Sequence, residues 1–197
     1  MNPLNQIIED QQNARDLKDA NADICFLALN DASGPSVRTL VLREVSPSGL
    51  TLFINKTSPK WRAIEHSPRA QILLWYPSLQ KQYRLSGSFL ELERSTIIEN
   101  WQRRPSASKY LDQVYEKFGN QSSTIDSRER LTSHIDSLKS EYNPEDLETP
   151  ANATGILLEP DQIECLDLND NNRIHHRHLY KLNNEIDPKW HESVLIP

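Results

Sequence analysis

The chain is poor in glycine and in cysteine, and each shortage excludes a class of protein. Its 197 residues contain five glycines, all scattered singly. They supply neither the glycine-rich loop of a P-loop NTPase nor the G-x-G-x-x-G turn of a dinucleotide-binding domain. The two cysteines, Cys25 and Cys165, lie far apart in predicted strands. That placement favours buried free thiols in a reducing compartment over a disulfide.

Long apolar runs and an excess of basic charge are also missing. No apolar run approaches the roughly 18 residues that a membrane helix needs, and the N-terminal residues lack the basic and apolar regions of a secretory signal. The formal net charge is -6, whereas proteins that bind nucleic acid usually carry a basic surplus. We therefore predict a cytoplasmic protein that binds neither membranes nor nucleic acid, with residues 1–197 forming a single domain.

The chain does contain many short segments with the pattern of β-strands. We predict strands at residues 22–29, 37–43, 50–54, 70–75, 82–92, 154–158, 162–168, 173–182 and 192–196. We predict helices at about 3–20, from Ser58 to before Ser67, and at 95–102, 107–118 and 124–140, with an exposed loop at 141–153. Closely spaced strands with peripheral helices predict a mainly β fold of the α+β class, a β-barrel whose last strand segment covers about 154–197.

One segment near the C-terminus concentrates basic and imidazole side chains. Residues 173–178 hold three of the six histidines and two arginines. On a strand, Arg173, His175 and Arg177 would project from one side over about 13 Å. This row suits a phosphate ester. One alternative is a strand face that is polar by chance. The other is a zinc or copper site formed by His175 together with His176 or His178, although the flanking arginines disfavour a cation.

Three further groups of basic residues could bind an anion. Ser58 and Lys60 stand at a predicted helix N-terminus, which offers unpaired N–H groups and a partial positive charge. Arg38 and Arg43 bracket a strand, and their odd spacing places them on opposite faces unless a bulge intervenes. Arg104 lies in a basic cluster beside hydroxyl side chains. Each group taken alone has an ordinary structural explanation.

Read together and in order, these segments resemble the pyridoxamine 5'-phosphate oxidase family. The matching segments are RTLVLR at 38–43, INKTSPK at 54–60, HSPR at 66–69, LQKQYRLSG at 79–87, RRPSAS at 103–108, NQSS at 120–123 and NRIHHRHLY at 172–180. The resemblance runs from about residue 22 to residue 197. It implies an FMN-binding split β-barrel that works as a homodimer, with FMN at the subunit interface.

The resemblance also assigns roles to individual residues. It implies that the flavin is bound by Arg38, Thr39, Leu40, Val41, Phe53, Ile54, Ser58, Lys60, Gln82, Gln121, Ser122 and Arg177. In this assignment Lys60 contacts the flavin phosphate, and Gln121 and Ser122 reach the cofactor from the partner subunit. The substrate is bound by Arg43, Asn100, Arg104, Ser108, Arg173 and His175. The last two hold the pyridine ring against the flavin and are the catalytic candidates; no metal is implied.

The implied reaction is the oxidation of a phosphorylated B6 vitamer by dioxygen, giving pyridoxal 5'-phosphate and hydrogen peroxide. The chain departs from the family pattern where Pro59 replaces an arginine, Arg43 a lysine and Asn100 a tyrosine, and where Leu166 falls near a flavin-side tryptophan. These departures keep two alternatives open. One is an FMN-binding oxidoreductase, similar to flavin reductases, with another substrate; the other is a non-catalytic binder of FMN or pyridoxal phosphate.

Overall fold

A computed structural model describes residues 1–31, 34–168, 174–183 and 188–197. The chain divides into two compact units. One comprises Met1–Leu52, Ala63–Leu90 and Leu157–Pro197, and the other comprises Phe53–Arg62 and Glu91–Ile156. The single domain expected from the sequence stays a prediction.

Nine strands form one mostly antiparallel sheet. They are β1 (Ile24–Asp31), β2 (Gly34–Val41), β3 (Glu44–Ser46), β4 (Gly49–Asn55), β5 (Arg69–Tyr76), β6 (Lys81–Glu91), β7 (Ala153–Asp167), β8 (His176–Leu182) and β9 (Trp190–Val194). The strand order is β2-β1-β5-β6-β7-β4-β3, while β8 pairs with β7 and β9. The sheet therefore does not close on itself, and the predicted mainly β fold is confirmed.

Five α-helices accompany the sheet within the described residues. They are α1 (Pro3–Asp16), α2 (Pro59–His66), α3 (Arg94–Gln102), α4 (Ser106–Lys117) and α5 (Arg128–Glu141). None of the helices in the described part of the chain is long and apolar enough to cross a membrane. Helix α1 begins where the Asn2 side chain accepts a hydrogen bond from the Leu4 N–H. It ends before the predicted residue 20, since Lys18 adopts a left-handed conformation with φ of 56° and its N–H bonds to the Arg15 carbonyl.

The larger unit has its core between α1 and the strands. Strand β1 alternates buried and partly exposed side chains, as expected for a strand that buries one face. A buried polar group ties α1 to β6: the Asp10 carboxylate, 3% exposed, accepts hydrogen bonds from the Tyr83 hydroxyl and from Lys81 Nζ at 3.0 Å. Burying a carboxylate requires such partners, so this cluster fixes the position of α1.

The smaller unit has two apolar clusters. Ile97, Trp101 and Ala153 form the first, against which Phe53 packs. Tyr110, Val114 and Leu138 form the second, where α4 packs against α5. The elements that carry the predicted residues of this unit are thereby held by ordinary apolar burial.

Several predicted boundaries were wrong. The two strands predicted at 154–158 and 162–168 are one 15-residue strand, β7, that continues through Pro160. Strand β7 can continue through Pro160 because the adjacent residue on β6, Gly87, has no side chain. A Cβ atom at Gly87 would lie 2.0 Å from the Glu159 carbonyl oxygen. Helix α5 begins after Ser127, whose Oγ accepts from the Arg130 N–H at 3.2 Å, rather than at residue 124.

Candidate functional site

The start of α2, in the smaller unit, is fixed by a local hydrogen-bond network. Ser58 is fully buried; its Oγ donates to the Asn55 carbonyl at 2.7 Å and accepts from the Trp61 N–H at 3.4 Å. Asn55 Oδ1 accepts from the Thr57 N–H at 2.8 Å. Ser58 therefore sets the helix start, as the sequence predicts. Pro59 occupies the first helical position, where a missing N–H costs nothing.

Lys60 and Gln121 meet in the same smaller unit. Lys60 is only 8% exposed, and its Nζ donates to Gln121 Oε1 at 3.0 Å. The Gln121 N–H in turn donates to Thr57 Oγ1 at 3.0 Å, and Gln121 Nε2 lies 3.5 Å from the Tyr115 hydroxyl. The contact forms within one chain. The assignment of Gln121 and exposed Ser122 to a flavin of the partner subunit stays a prediction.

The predicted substrate residues of the smaller unit are not all available to a ligand. Asn100 Nδ2 donates to the Thr96 carbonyl of its own helix at 3.1 Å. Arg104 Nη1 lies 3.4 Å from Asp112 Oδ2. Ser108 is half-buried in the first turn of α4. Asp112, which sequence reasoning missed, therefore already contacts one of the predicted phosphate ligands.

The predicted flavin residues on β4 have packing roles. Ile54 is 7% exposed and belongs to the core. Phe53 packs on the cluster of Ile97, Trp101 and Ala153, and a Cβ atom on Gly155 would come within 2.7 Å of its ring. Both side chains pack in the core, so only the backbone at these positions could contact a flavin.

On β2, in the larger unit, the predicted residues alternate between the two faces of the strand. Thr39 and Val41 are exposed, whereas Arg38 and Leu40 are half-buried on the other face. Arg38 Nη2 donates to Ser36 Oγ at 2.7 Å, and among the described residues its buried Nε has no hydrogen-bond partner. A buried guanidinium donor of this kind requires an acceptor, and a bound anion or flavin carbonyl would supply one.

Two further predicted residues of the larger unit lie on or beside its strands. Strand β2 ends at Val41, so exposed Arg43 lies beyond it rather than on the predicted strand 37–43. Gln82 is half-buried on β6, opposite Trp75 of β5.

A buried carboxylate that the sequence analysis missed holds Arg177. Glu164 of β7 is 6% exposed; its Oε1 accepts from Arg177 Nε at 2.8 Å, and its Oε2 accepts from Arg84 Nη2. Burial raises the pKa of Glu164, but the hydrogen bonds from both arginines outweigh it and leave that pKa below its usual value. Residues 164 and 177 lie on neighbouring strands, and the sequence around them does not indicate that they pair.

The predicted row of cationic residues on one strand needs correction. Strand β8 begins at His176, so His175 precedes the strand and the interpretation that it shares a strand face with Arg177 was wrong. Arg173 lies outside the described residues. Within the described ranges, the His175 Nδ1 atom is buried without a hydrogen-bond partner, and no three His, Cys, Asp or Glu side chains are grouped as a metal site requires.

The described residues fit FMN. The cofactor carries a phosphate and ring carbonyl groups, all of them acceptors. The smaller unit offers such acceptors the buried amine of Lys60. The larger unit, taken by itself, offers the buried Nε of Arg38, which has no partner among the described residues. Buried cationic donors of this kind are stabilised by charge-assisted hydrogen bonds to such acceptors.

Comparison with known proteins agrees with this chemistry. Residues 1–92 match the model of the pyridoxamine 5'-phosphate oxidase FMN-binding domain, which confirms FMN as the predicted cofactor. A pyridoxine/pyridoxamine 5'-phosphate oxidase from Acinetobacter baumannii (strain AYE) is 30% identical over 173 residues, covering 87% of this chain and 76% of that protein. One of the same name from Trichormus variabilis is 29% identical over 198 residues, covering 100% of this chain and 89% of that protein.

Two solved structures show the same fold. PhzG from Burkholderia lata 383, in complex with tetrahydrophenazine-1-carboxylic acid, superposes with a TM-score of 0.87 at 21% identity, covering 99% of this chain and 92% of that chain. A pyridoxamine 5'-phosphate oxidase-related, FMN-binding protein from Nostoc punctiforme gives a TM-score of 0.78 at 22% identity, covering 100% and 99%. The open sheet is thus the predicted split barrel, and the chain belongs to the pyridoxamine 5'-phosphate oxidase family.

Proposed function

We propose that this protein is an FMN-dependent oxidase that converts pyridoxamine 5'-phosphate or pyridoxine 5'-phosphate to pyridoxal 5'-phosphate, with dioxygen as the electron acceptor. The observation that carries the proposal is the similarity, over nearly the whole chain, to relatives named for this reaction. A cytoplasmic homodimer with FMN at the subunit interface belongs to the same proposal.

The cofactor would be held by residues that carry cationic and amide groups. Lys60 would bind the flavin phosphate beside Gln121, with Ser58 fixing the helix start that orients Lys60. Arg38 would satisfy its free Nε on an acceptor of the flavin, and Gln82 and Arg177 complete the set. FMN, when bound, would supply the two-electron redox chemistry.

The substrate would be held by a second cationic set. Arg43, Arg104 and Ser108 would bind its phosphate through charge-assisted hydrogen bonds. Arg173 and His175 would position the pyridine ring for reaction. They would contribute to the rate by orienting the substrate and not by reacting themselves. The unpartnered Nδ1 of His175 is consistent with a ligand-facing role.

A second candidate is an FMN-dependent oxidoreductase, similar to flavin reductases, with a different substrate. Two observations favour it: the Asn100 side-chain amide donates to a carbonyl of its own helix, and Arg104 is paired with Asp112. Both weaken the predicted phosphate site while leaving the residues at Lys60 unchanged.

The two candidates differ in measurable turnover. FMN-loaded protein supplied with either vitamer phosphate should consume oxygen and form equal amounts of pyridoxal 5'-phosphate and hydrogen peroxide. Fully loaded protein that oxidises neither vitamer would exclude the oxidase. Rapid flavin reduction by a reduced nicotinamide, without vitamer oxidation, would support the second candidate. Protein that takes up FMN and supports neither reaction would be a binder only.

A further inference from the structure

Asp112 is a buried carboxylate fixed beside a predicted substrate ligand. It is 5% exposed, and its Oδ2 accepts a hydrogen bond from Trp101 Nε1 at 2.8 Å. Trp101 is itself 2% exposed in the apolar cluster of α3. The same oxygen lies 3.4 Å from Arg104 Nη1. The indole anchors the carboxylate, so Asp112 cannot easily move away when a ligand arrives.

The pairing changes the charge that a ligand meets at Arg104. An arginine alone offers one positive charge, but the pair of Arg104 and Asp112 sums to zero. A phosphate dianion bound to Arg104 would also lie near the fixed carboxylate and be repelled by it. Both groups that contact Oδ2, the Trp101 indole N–H and the Arg104 guanidinium, are donors, as an ionised carboxylate requires. Burial nevertheless raises the pKa of Asp112 above its usual value, because the Arg104 charge and the Trp101 hydrogen bond offset the loss of solvation only in part.

The neighbouring positions do not replace the lost charge. Asn100 uses its side-chain amide within α3, on the Thr96 carbonyl. Ser108 offers a hydroxyl without charge. Within the smaller unit, the predicted phosphate ligands thus provide one neutralised cation and one hydroxyl.

We infer that Asp112 is a specificity-determining residue that lowers the preference for a phosphorylated substrate, so that the site accepts the unphosphorylated or monoanionic form of a B6-like ring nearly as well. This inference rests on the proposed function for the identity of the ring. The alternative, that Asp112 merely orients Arg104 toward a phosphate, predicts the opposite response to substitution.

The test compares paired ligands on variants of the FMN-loaded protein. Pyridoxal 5'-phosphate and pyridoxal are titrated, and the ratio of their dissociation constants gives the phosphate preference. Asp112→Asn keeps an acceptor for Trp101 and removes the charge, so the preference should rise about tenfold, since unit charges a few ångströms apart near a surface interact at least this strongly. Asp136→Asn, an exposed carboxylate of α5 paired with Lys139, is the matched control and should leave the ratio unchanged.

An unchanged or lower preference in Asp112→Asn would overturn the inference. If that variant does not fold, the wild-type ratio decides. A wild-type preference below about tenfold, less than one charge-assisted contact supplies, agrees with the inference, and a larger one contradicts it. Because the readout is binding, it remains valid even if no vitamer is oxidised, and the proposed function can therefore fail separately.

Discussion

Substitution Glu164→Gln tests how the strand that carries Arg177 is held. Glu164 is buried on β7 and accepts hydrogen bonds from Arg177 of β8 and Arg84 of β6. Glutamine has nearly the same shape, but it carries no charge, and an NH2 donor takes the place of one of the two oxygens that accept from Arg177 and Arg84. The change therefore removes the ionic part of the cluster with little change in volume.

The expected loss follows from the exposure of the partners. Each hydrogen bond to a charged group contributes about 1.5–3 kcal/mol. The Arg84 and Arg177 side chains are 49% and 30% exposed, so both can bond to water after the substitution and recover part of this energy. We expect a net loss of about 2 kcal/mol in the free energy of unfolding, which corresponds to about 4–8 °C in Tm for a chain of this size.

Urea unfolding of FMN-saturated protein measures this loss. The matched control is Asp161→Asn, on the same strand, where the carboxylate binds Arg69 through two hydrogen bonds but both side chains are well exposed, at 39% and 58%. Exposed pairs contribute about 0–1 kcal/mol, so the control should lose less than half as much. Equal losses in the two variants would refute the reasoning that burial makes the Glu164 cluster strong.

The same cluster gives a pH dependence of known sign. The pKa of Glu164 in the folded protein lies below its usual value of 4.5. Its contribution is therefore fully present above pH 4.5 and is lost as the pH falls through the folded pKa. The stability difference between wild type and Glu164→Gln should shrink as the pH is lowered below about 4.5. A difference that is constant with pH would contradict the assignment.

Two other predictions concern the cofactor and the thiols. Lys60→Met should raise the Kd for FMN about 10- to 100-fold, since a charge-assisted phosphate contact is worth about 1.5–3 kcal/mol. Lys139→Met, on the exposed face of α5, is the control and should leave the Kd unchanged. Equal effects of the two substitutions in a fluorescence titration would show that Lys60 does not bind FMN. Burial raises the pKa of Cys25 to about 12 and that of Cys165 to about 11, so neither thiol should react with a disulfide reagent at pH 8 until urea unfolds the chain. Cys25 is buried and Cys165 is half-buried, so rapid labelling of native protein would contradict the burial of Cys25 or the raised pKa of Cys165.

The sequence predicted most of the fold because each strand and helix carries its own local signal. The start of α2 is an example: Ser58 and Pro59 define it through capping chemistry that involves only neighbouring residues. The continuous β7 was missed because Pro160 normally interrupts a strand, and its tolerance depends on Gly87, far away in sequence. Tertiary contacts of this kind cannot be inferred from local pattern.

The candidate site was predicted in part for the same reason. The resemblance to the family pointed to Lys60 and Gln121, which the fold brings together, but it assigned Gln121 to the partner subunit's flavin and did not indicate that the two meet within one chain. Glu164 and Asp112 were missed because their significance lies in which arginine each contacts, at separations of 13 and 8 residues along the chain. A buried carboxylate within a strand or helix carries no pattern that distinguishes it from an exposed one.

The most direct test of the proposed oxidase is anaerobic mixing of FMN-loaded protein with pyridoxamine 5'-phosphate. In the proposed oxidase, the visible absorption of oxidised flavin should disappear and one pyridoxal 5'-phosphate should form per flavin, with the absorption restored when oxygen is admitted. Flavin that remains oxidised in the presence of saturating pyridoxamine 5'-phosphate and pyridoxine 5'-phosphate would contradict the account.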